Sequence, residues 1–384
     1  MTYASAWMDE ELRLLADTVE RFLAREITPG REKWEEQGFV DREAWLKAGA
    51  AGLLCASIPE AYGGGGGAFG HEIVIIQELG RAGLGGGFGA GNSVSSGIVA
   101  HYILNYGTET QKQRWLPAMA RGEIVGAIAM SEPSAGSDLQ GVATTARKAD
   151  GGYVVNGQKT WITNGQCADL IIVVAKTDPA AGAKGVSLVV VEPAVAKGFQ
   201  RGKRLSKLGM HAQDTSELFF DEVWVPEENL LGGEPGRGFV QLMQQLAWER
   251  MQIAISATVA MESAVALAID YVKQRRLFGK PLAEFQNTQF KLAECKTETV
   301  VARRFVDGLI VDLLAGRLDP ETAAMAKLWT TETQGRVIDA CLQFFGGFGY
   351  VTEYPIARLY ADARVTRIFG GTSEVMKLII ARTL

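Results

Sequence analysis

The residues whose types could do chemistry are concentrated in two neighbouring stretches, at positions 128–138 and 161–165. The first begins apolar and then breaks into proline, glycine and small hydroxyls, which is typical of a strand that enters a loop rich in exposed donors. Just before the second stretch, Asn156-Gly157 predicts a tight hairpin turn between two strands. Donors beside a strand that carries Trp161 and Thr163 could hold a flat, hydrogen-bonding ring against an indole face. The alternative is an ordinary polar turn and hairpin.

Composition excludes several classes of function. The chain has 384 residues, 47 % of them hydrophobic, which predicts large cores in two or three regions. A net charge of −5 and scattered basic residues give no surface suited to nucleic acid. The cysteines and histidines are far apart, so we expect no metal site and a reduced, intracellular protein. No signal peptide and no apolar run of membrane-spanning length is visible, which predicts a soluble, cytoplasmic protein without stable membrane insertion.

Hydrophobic spacing divides the chain into three regions. Residues 1–123 show apolar stripes at helical spacing, and residues 124–236 show short β-branched runs separated by turns. The spacing of these runs favours an antiparallel barrel or sandwich over a dinucleotide-binding fold. Residues 237–384 return to long helical segments, which predict an antiparallel bundle: 239–276, 286–315, 320–345 and 374–383. The sequence therefore predicts an α+β protein with the order helices, sheet, helices.

Six motifs in register along the chain carry a resemblance to a known family, and they lie at residues 131–138, 156–164, 208–221, 275–286, 345–350 and 368–374. Together they resemble the acyl-CoA dehydrogenase family over essentially the whole length, most closely the branch of the long-chain and isovaleryl-CoA enzymes. The resemblance implies an N-terminal α-helical domain, a middle antiparallel β-barrel and a C-terminal four-helix bundle. It also implies bound FAD and a homotetramer in which the bundle of one subunit helps to hold the flavin of its neighbour.

The resemblance assigns three groups of residues to FAD. One group would hold the flavin ring: Ile128, Met130, Ser131, Gly136, Ser137, Trp161, Ile162 and Thr163. A second would serve the pyrophosphate and adenosine, partly across the subunit interface: Arg275, Gln286, Gln343, Phe344, Phe345, Gly346 and Gly347. The third, which would complete the site, is Thr372, Ser373 and Glu374. An arginine suits the second group because guanidinium is permanently charged and binds phosphate through two hydrogen bonds.

The usual catalytic glutamate of the family is missing from the last motif. Where many members have a Tyr-Glu-Gly-Thr sequence, this chain has Phe369-Gly370-Gly371-Thr372. The resemblance to the long-chain branch places the base at Glu249 instead, near the start of the first bundle helix and just before Arg250. A carboxylate enclosed beside Trp248 and an acyl chain loses solvation, so we expect its pKa to rise. A surface pair of Glu249 and Arg250 near a helix start is the alternative.

The backbone of Gly370 is the second catalytic group that the resemblance implies, because its N–H would donate to the thioester carbonyl. We also hypothesise that Gly370 frees the volume where a glutamate would stand, which could admit a branched or bulkier acyl chain. The resemblance further assigns substrate contacts to a set of residues along the chain: Ser137, Ala183, Lys184, Val240, Ala247, Trp248, Arg250, Gly370 and Gly371.

These assignments predict an FAD-dependent acyl-CoA dehydrogenase. Glu249 would take the α-proton and FAD the β-hydride, giving a trans-2-enoyl-CoA, and the electrons would pass to electron-transfer flavoprotein. The alternatives are an acyl-CoA oxidase that uses O₂, and a non-catalytic relative that keeps the flavin as a scaffold or binds DNA. The acyl chain stays open between medium, long and branched chains, because the depth of a pocket cannot be read from a sequence.

Overall fold

The computed structural model describes residues 5–384, and its N-terminal region is helical, as the sequence predicts. It contains α1 (Glu10–Phe22), α2 (Arg31–Gln37), α3 (Arg42–Ala50), α4 (Phe69–Arg81), α5 (Ala90–Val94), α6 (Ala100–Tyr106) and α7 (Glu109–Ala120). The first helix begins where the Asp9 side chain accepts the N–H of Leu12, which satisfies one free donor of the first turn. In the core of this region Trp45 packs against Phe88, with their ring centroids 5.0 Å apart.

The middle region forms one curled sheet of seven strands: β1 (Gly126–Ala129), β2 (Thr145–Ala149), β3 (Gly152–Thr163), β4 (Leu170–Lys176), β5 (Val186–Val191), β6 (Phe199–Arg204) and β7 (Thr215–Pro226). The strand order is β1-β4-β2-β3-β7-β6, with β5 also paired to β4. The class of the fold is as predicted, but the sheet is not wholly antiparallel. β4 pairs in parallel with β1 and with the start of β2. Parallel pairing requires a long connection, and β2 and β3 lie within the segment that joins β1 to β4.

Asn156-Gly157 does not form the predicted hairpin turn. β3 runs through this dipeptide and pairs with β7 on both sides of it. The register shifts at this point because two residues of β7, Asp221 and Glu222, lie opposite Asn156 alone, so β7 carries a β-bulge here. The Asn156 side chain accepts the N–H of Glu222 (2.9 Å) and donates to the Glu222 carboxylate (2.6 Å). Two hydrogen bonds to the neighbouring strand thus hold the strand extended where the sequence suggested a turn.

The C-terminal region consists of long helices near the predicted bounds and one short hairpin: α8 (Gly238–Gln274), β8 (Arg276–Leu277), β9 (Lys280–Pro281), α9 (Gln286–Leu314), α10 (Pro320–Gln343), α11 (Pro355–Ala363) and α12 (Ser373–Ala381). α8 is central, since it packs against α9, α10 and α11 as well as α4 of the N-terminal region. One helix, α11, was not predicted. It begins at Pro355, whose fixed φ suits the first turn of a helix.

α8 is long and apolar enough to cross a membrane, so the prediction that no apolar run reaches this length was wrong. Polar residues such as Gln252 and Glu262 interrupt the run, so the sequence shows no continuous apolar stretch here. More than half of the most apolar window of α8 is buried inside the fold. Met251 and Val265, for example, pack into two separate core clusters. Protein therefore encloses much of the apolar surface of α8.

α8 also joins the three regions. A β-carbon built on Gly80 of α4 would lie 2.7 Å from Cγ1 of Val259 in α8, so only a glycine allows the two helices to approach this closely. Around this contact, buried side chains of α4, α8 and α9 form one hydrophobic cluster. At its start, Gly238 of α8 lies against the backbone of Ser187 in β5. A side chain on α8 can therefore be enclosed by helices of the N-terminal and C-terminal regions together.

A buried ion pair ties the loop after β1 to β3. Lys159 is completely buried, and its ammonium donates to Oε1 of Glu132 (2.8 Å) and to the Met130 carbonyl (2.9 Å). Glu132 also accepts the N–H groups of Ala143 (2.6 Å) and Thr144 (3.0 Å). Burial lowers the pKa of Lys159 to about 8, although Glu132 opposes this shift. The loop that carries the first sequence motif is thereby fixed to the sheet.

Lys159→Met should reduce the free energy of unfolding by about 3–5 kcal/mol, because it leaves the buried Glu132 carboxylate without its cation. Lys148→Met removes an exposed partner of Glu227 and should change this free energy little. Urea denaturation followed by far-ultraviolet circular dichroism compares both variants with the unaltered protein. Equal effects of the two substitutions would contradict the importance of the buried pair.

Candidate active site

Glu249 lies inside the protein, where α8 meets the N-terminal helices. Its exposed fraction is 7 %, and its Oε1 accepts a hydrogen bond from the hydroxyl of Tyr102 in α6 (3.0 Å). The neighbouring Trp248 is also buried and donates its indole N–H to the Gly97 carbonyl (2.7 Å). Burial raises the pKa of Glu249 to about 7, against the opposing effects of Tyr102 and Arg250. The expected rise is present, and a surface pair at a helix start is excluded.

The loop before α12 is held by α10. Gly370 and Gly371 have φ angles of +62° and +95°, a backbone conformation that L side chains rarely adopt. Lys327 of α10 is completely buried and donates its ammonium to the Gly371 carbonyl (2.5 Å). Further along α10, Glu332 accepts a hydrogen bond from the Ser373 hydroxyl (2.6 Å). α10 therefore fixes at two points a loop whose two glycines have no side chains to hold them.

The space beside Gly370 is occupied. A β-carbon built on Gly370 would overlap Cδ1 of Ile253, which lies about one helical turn after Glu249 on α8. Ile253 thus takes the position of a β-carbon at Gly370, which counts against the hypothesis that this volume admits a branched acyl chain. The same contact shows that the Gly370–Gly371 loop adjoins the face of α8 that carries Glu249.

Arg250 contains a buried donor without a partner. The side chain is 5 % exposed, and its Nε makes no hydrogen bond with any residue that the structure describes. Burial lowers the pKa of Arg250, whereas the charge of Glu249 opposes this change. Buried polar groups in native proteins are nearly always hydrogen-bonded, so we expect a ligand or a water molecule to supply an acceptor for this N–H. A ligand with phosphate or carbonyl oxygens beside Glu249 would satisfy it.

The residues predicted for the flavin ring lie where β1, the loop after it and the end of β3 meet. The Ser131 hydroxyl donates to the Thr160 carbonyl (2.7 Å), and the Thr160 N–H donates to the Ser131 carbonyl (3.0 Å). Trp161 has a φ of +59° and is 57 % exposed, so its indole faces outward. The side chain of Ile162 lies in the core of the sheet, so only its backbone can contact a ligand. Of the others, Ile128, Met130 and Thr163 are half-buried, and Gly136 and Ser137 are exposed.

A cavity of about 1170 Å³ lies where α8 ends, α9 begins and α10 ends. Most of the second predicted group lines it: Arg275, Gln343, Phe344, Phe345, Gly346 and Gly347. Gln286 does not, although the next residue, Asn287, does. In the cavity wall, Tyr271 stacks on Phe345 with ring centroids 4.2 Å apart. None of the lining residues belongs to the sheet, so the described part of one chain does not bring the two predicted groups together.

The chemistry of the two places fits the two ends of FAD. The exposed indole of Trp161, beside a loop of N–H groups and hydroxyls, suits a flat ring with hydrogen-bonding edges. At the cavity, a β-carbon built on Gly346 or Gly347 meets no atom within 4 Å, so a ligand can approach the backbone. The exposed guanidinium of Arg275 can bind a phosphate there. The residues present thus fit the cofactor that the resemblance implies.

The first turn of α12 contains the last three residues predicted for FAD. Thr372 caps this helix, because its hydroxyl accepts the N–H of Val375 (3.3 Å). Ser373 is buried, whereas Glu374 is exposed. None of these residues lines the cavity. The structure therefore places them beside the Gly370–Gly371 loop.

The remaining predicted substrate contacts lie near the start of α8. Ala183 and Lys184 belong to a short 3₁₀ helix, and the Lys184 carbonyl lies against the backbone of Gly236, just before α8. Val240 and Ala247 lie on α8 itself, where the first is exposed and the second is half-buried. A ligand that contacts all these residues would follow the first turns of α8 towards Glu249.

Three residues of this site were not predicted from the sequence: Tyr102, Ile253 and Lys327. Tyr102 and Ile253 resemble ordinary core residues of helices, and no local pattern links Tyr102 to Glu249, which is 147 positions away. Lys327 could have been identified from the sequence, because it lies among apolar residues of a predicted helix. A lysine is rarely buried unless it has a partner, so this position indicates a specific contact.

Models of known families agree with this architecture. Three of them match the chain: the acyl-CoA dehydrogenase N-terminal domain at residues 9–123, the middle domain at residues 127–223 and the C-terminal domain at residues 236–384. Together with the two parts that fit FAD and the buried carboxylate, these matches define the class. The molecule is a three-domain flavoprotein oxidoreductase.

Comparison with individual relatives identifies the family within this class to which the chain belongs. The long-chain specific acyl-CoA dehydrogenase of Rattus norvegicus, a mitochondrial protein, is 47 % identical over 97 % of this chain and 86 % of its own length. The mitochondrial 2-methylacyl-CoA dehydrogenase of Solanum tuberosum is 37 % identical over 99 % of this chain and 92 % of its own. The crystal structure of an acyl-CoA dehydrogenase from Geobacillus kaustophilus has a TM-score of 0.94 and 46 % identity, with 99 % of both chains covered. The chain belongs to the acyl-CoA dehydrogenase family, whose members depend on FAD.

Glu249→Gln should make the protein more stable than the unaltered chain near pH 8 but not near pH 5. The pKa of Glu249 rises from its ordinary value of 4.5 to about 7 on folding, so the stability present below pH 4.5 is lost as the pH rises through 7. Glutamine does not titrate and avoids this loss, which amounts to about 3 kcal/mol at most. Urea denaturation of both proteins at the two pH values measures the difference. A difference that stays constant with pH would contradict the raised pKa.

Proposed function

We propose that the protein removes one hydrogen from each of the α and β carbons of an acyl-CoA thioester and gives a trans-2-enoyl-CoA. The observation that carries this proposal is the buried carboxylate of Glu249 beside the Gly370–Gly371 loop. A pKa of about 7 suits a general base, which must be ionised before it takes the α-proton and must hold that proton afterwards. FAD, when bound, supplies the acceptor for the β-hydrogen and its electron pair.

The Gly370 N–H is the group that we assign to the thioester carbonyl. Removal of the α-proton places negative charge on that carbonyl oxygen, and a fixed backbone donor stabilises the charge without rearrangement. The position of this N–H depends on α10, because Lys327 and Glu332 hold the residues that follow it. The unpartnered Nε of Arg250 would bind an oxygen of the CoA portion.

The proposed assembly is a homotetramer in which FAD lies between copies of the chain. The two groups of residues that fit FAD occupy different parts of one chain, so a second copy would supply the missing half. Phe278 is 94 % exposed and directly follows a residue that lines the cavity. Tyr350 is 92 % exposed and directly precedes another such residue. Such exposed aromatic side chains support an interface at this place.

Electron-transfer flavoprotein is the acceptor that we propose. The exposure of Trp161 leaves the place that fits the flavin ring accessible from outside, which suits a protein acceptor. The location of the protein in the cytoplasm stays a prediction.

We propose a straight medium or long acyl chain as the preferred substrate. Ile253 fills the volume beside Gly370, so a methyl branch at the α carbon would have to displace it. Branched substrates would therefore react more slowly, although one relative is named a 2-methylacyl-CoA dehydrogenase.

Anaerobic titration of the purified yellow protein with straight and branched acyl-CoAs tests the reaction. A substrate should bleach the visible absorbance of the flavin, and Glu249→Gln should lower the rate of bleaching by at least about 10³-fold while the flavin stays bound. Glu262→Gln is the control, because it changes a glutamate on the same helix that pairs with Arg303 (2.7 Å) instead.

Two results would contradict this function. If no thioester bleaches the bound flavin, the protein does not dehydrogenate the acyl-CoAs of the panel. If Glu249→Gln bleaches as fast as the unaltered protein, the base lies elsewhere. Rapid reoxidation of the reduced flavin by air would favour O₂ over electron-transfer flavoprotein as the acceptor.

Ile253→Ala should shift the preference towards 2-methyl-branched acyl-CoAs, because it empties the volume beside Gly370. We expect the ratio of kcat/KM for the branched over the straight substrate to rise roughly 10-fold, the usual value for one methyl-sized pocket. Ile269→Ala makes the same change on the same helix in another core cluster and should leave the ratio unaltered. An unchanged ratio in Ile253→Ala would show that this volume does not limit branching.

A further inference from the structure

Glu249 has one hydrogen-bond partner among the described residues, the hydroxyl of Tyr102. This hydroxyl lies 3.0 Å from Oε1, and no described side chain donates to Oε2. Tyr102 is completely buried and packs in a core cluster with Val99 and Leu242. Packing therefore fixes the phenol in a contact that reaches from α6 to α8.

The Tyr102 hydroxyl can act only as a donor to this carboxylate. Burial and the charge of Glu249 raise the pKa of Tyr102 well above its ordinary value, so the phenol stays protonated while Glu249 titrates. A donor bonds more strongly to an ionised carboxylate than to a neutral acid, and it therefore favours the charged form. Tyr102 thus opposes the desolvation that raises the pKa of Glu249.

We propose that Tyr102 is a positioning residue for the catalytic base: its hydroxyl occupies Oε1 of Glu249, leaves Oε2 to receive the α-proton, and favours the ionised form of the carboxylate. This proposal rests on the function proposed above. Tyr102 acts through Glu249, because core packing holds the phenol against Oε1.

The other ionisable groups near Glu249 do not replace this contact. Arg250 acts on Glu249 through its charge and makes no hydrogen bond to it. Tyr106, one turn after Tyr102, directs its hydroxyl to Gln244 (3.1 Å). Ionisable groups on the surrounding helices include Arg250 of α8, Tyr106 of α6, Lys327 of α10 with its bond to Gly371, and the pair of Glu72 in α4 with His101 in α6 (3.0 Å).

The test compares Tyr102→Phe with Tyr106→Phe, two removals of one hydroxyl from the same helix. The flavin-loaded proteins are mixed with octanoyl-CoA or palmitoyl-CoA, whichever reduces the unaltered protein faster, and kcat/KM is measured from pH 6 to pH 9.5. Its pH dependence reports the pKa of the base in the free enzyme.

Tyr102→Phe should raise the apparent pKa of the base by about one unit, because the ionised carboxylate loses its donor. The rate near pH 7 should then fall roughly fivefold, the ratio of the ionised fractions for pKa values one unit apart, and should recover above pH 9. Tyr106→Phe should retain the pH profile of the unaltered protein. A Tyr102→Phe profile that overlays the unaltered one, or that is lowered equally at every pH, would overturn the proposal.

A second measurement needs no substrate. At each pH from 5 to 9, the melting temperature of Tyr102→Phe is compared with that of the double variant Tyr102→Phe/Glu249→Gln. The unaltered protein is compared with Glu249→Gln in the same way. Loss of the donor should move the upper end of the Glu249-dependent change, which levels off above the folded-state pKa, to higher pH by about one unit, and an unmoved upper end would overturn the proposal. If no thioester reduces the flavin, the proposed function fails, and this upper end still decides whether Tyr102 controls the charge of Glu249.

Discussion

The proposed chemistry depends on the removal of one carboxylate, Glu249, from water. The N-terminal helices cover one side of α8 and the bundle covers the other, so burial of this side chain requires both regions. Burial alone would leave the carboxylate neutral over much of the physiological range, and a hydroxyl and a nearby charge restore part of its acidity. A balance of this kind is how proteins bring a carboxylate into the range where it can exchange a proton.

The loop before α12 and the face of α8 complement each other. Position 370 has a glycine, and Ile253 of α8 takes the place that its β-carbon would occupy. Two successive glycines would leave the loop mobile, because glycine has the most conformational freedom to lose. The buried ammonium of Lys327 offsets this by bonding to the Gly371 carbonyl, and its own desolvation lowers its pKa to about 8.

Much of the architecture could be predicted from the sequence, because apolar spacing reports the helices directly and β-branched runs report the strands. The misses have physical reasons. Asn156-Gly157 stays extended opposite a bulge in β7, where the Asn156 side chain bonds to Glu222. The parallel pairing of β1 with β4 depends on a long connection whose path no local pattern specifies.

The sequence by itself determined the order of helices, sheet and helices, and it placed a glycine at position 370 and a glutamate at position 249, the predicted base. These features depend on residue identity and spacing, which a sequence states directly. Only the tertiary structure decided that Tyr102 bonds to Glu249, that Ile253 fills the volume beside Gly370, and that Lys327 holds the Gly371 carbonyl. Each of these contacts joins separate elements of the fold, and its partners become adjacent only when those elements pack against one another.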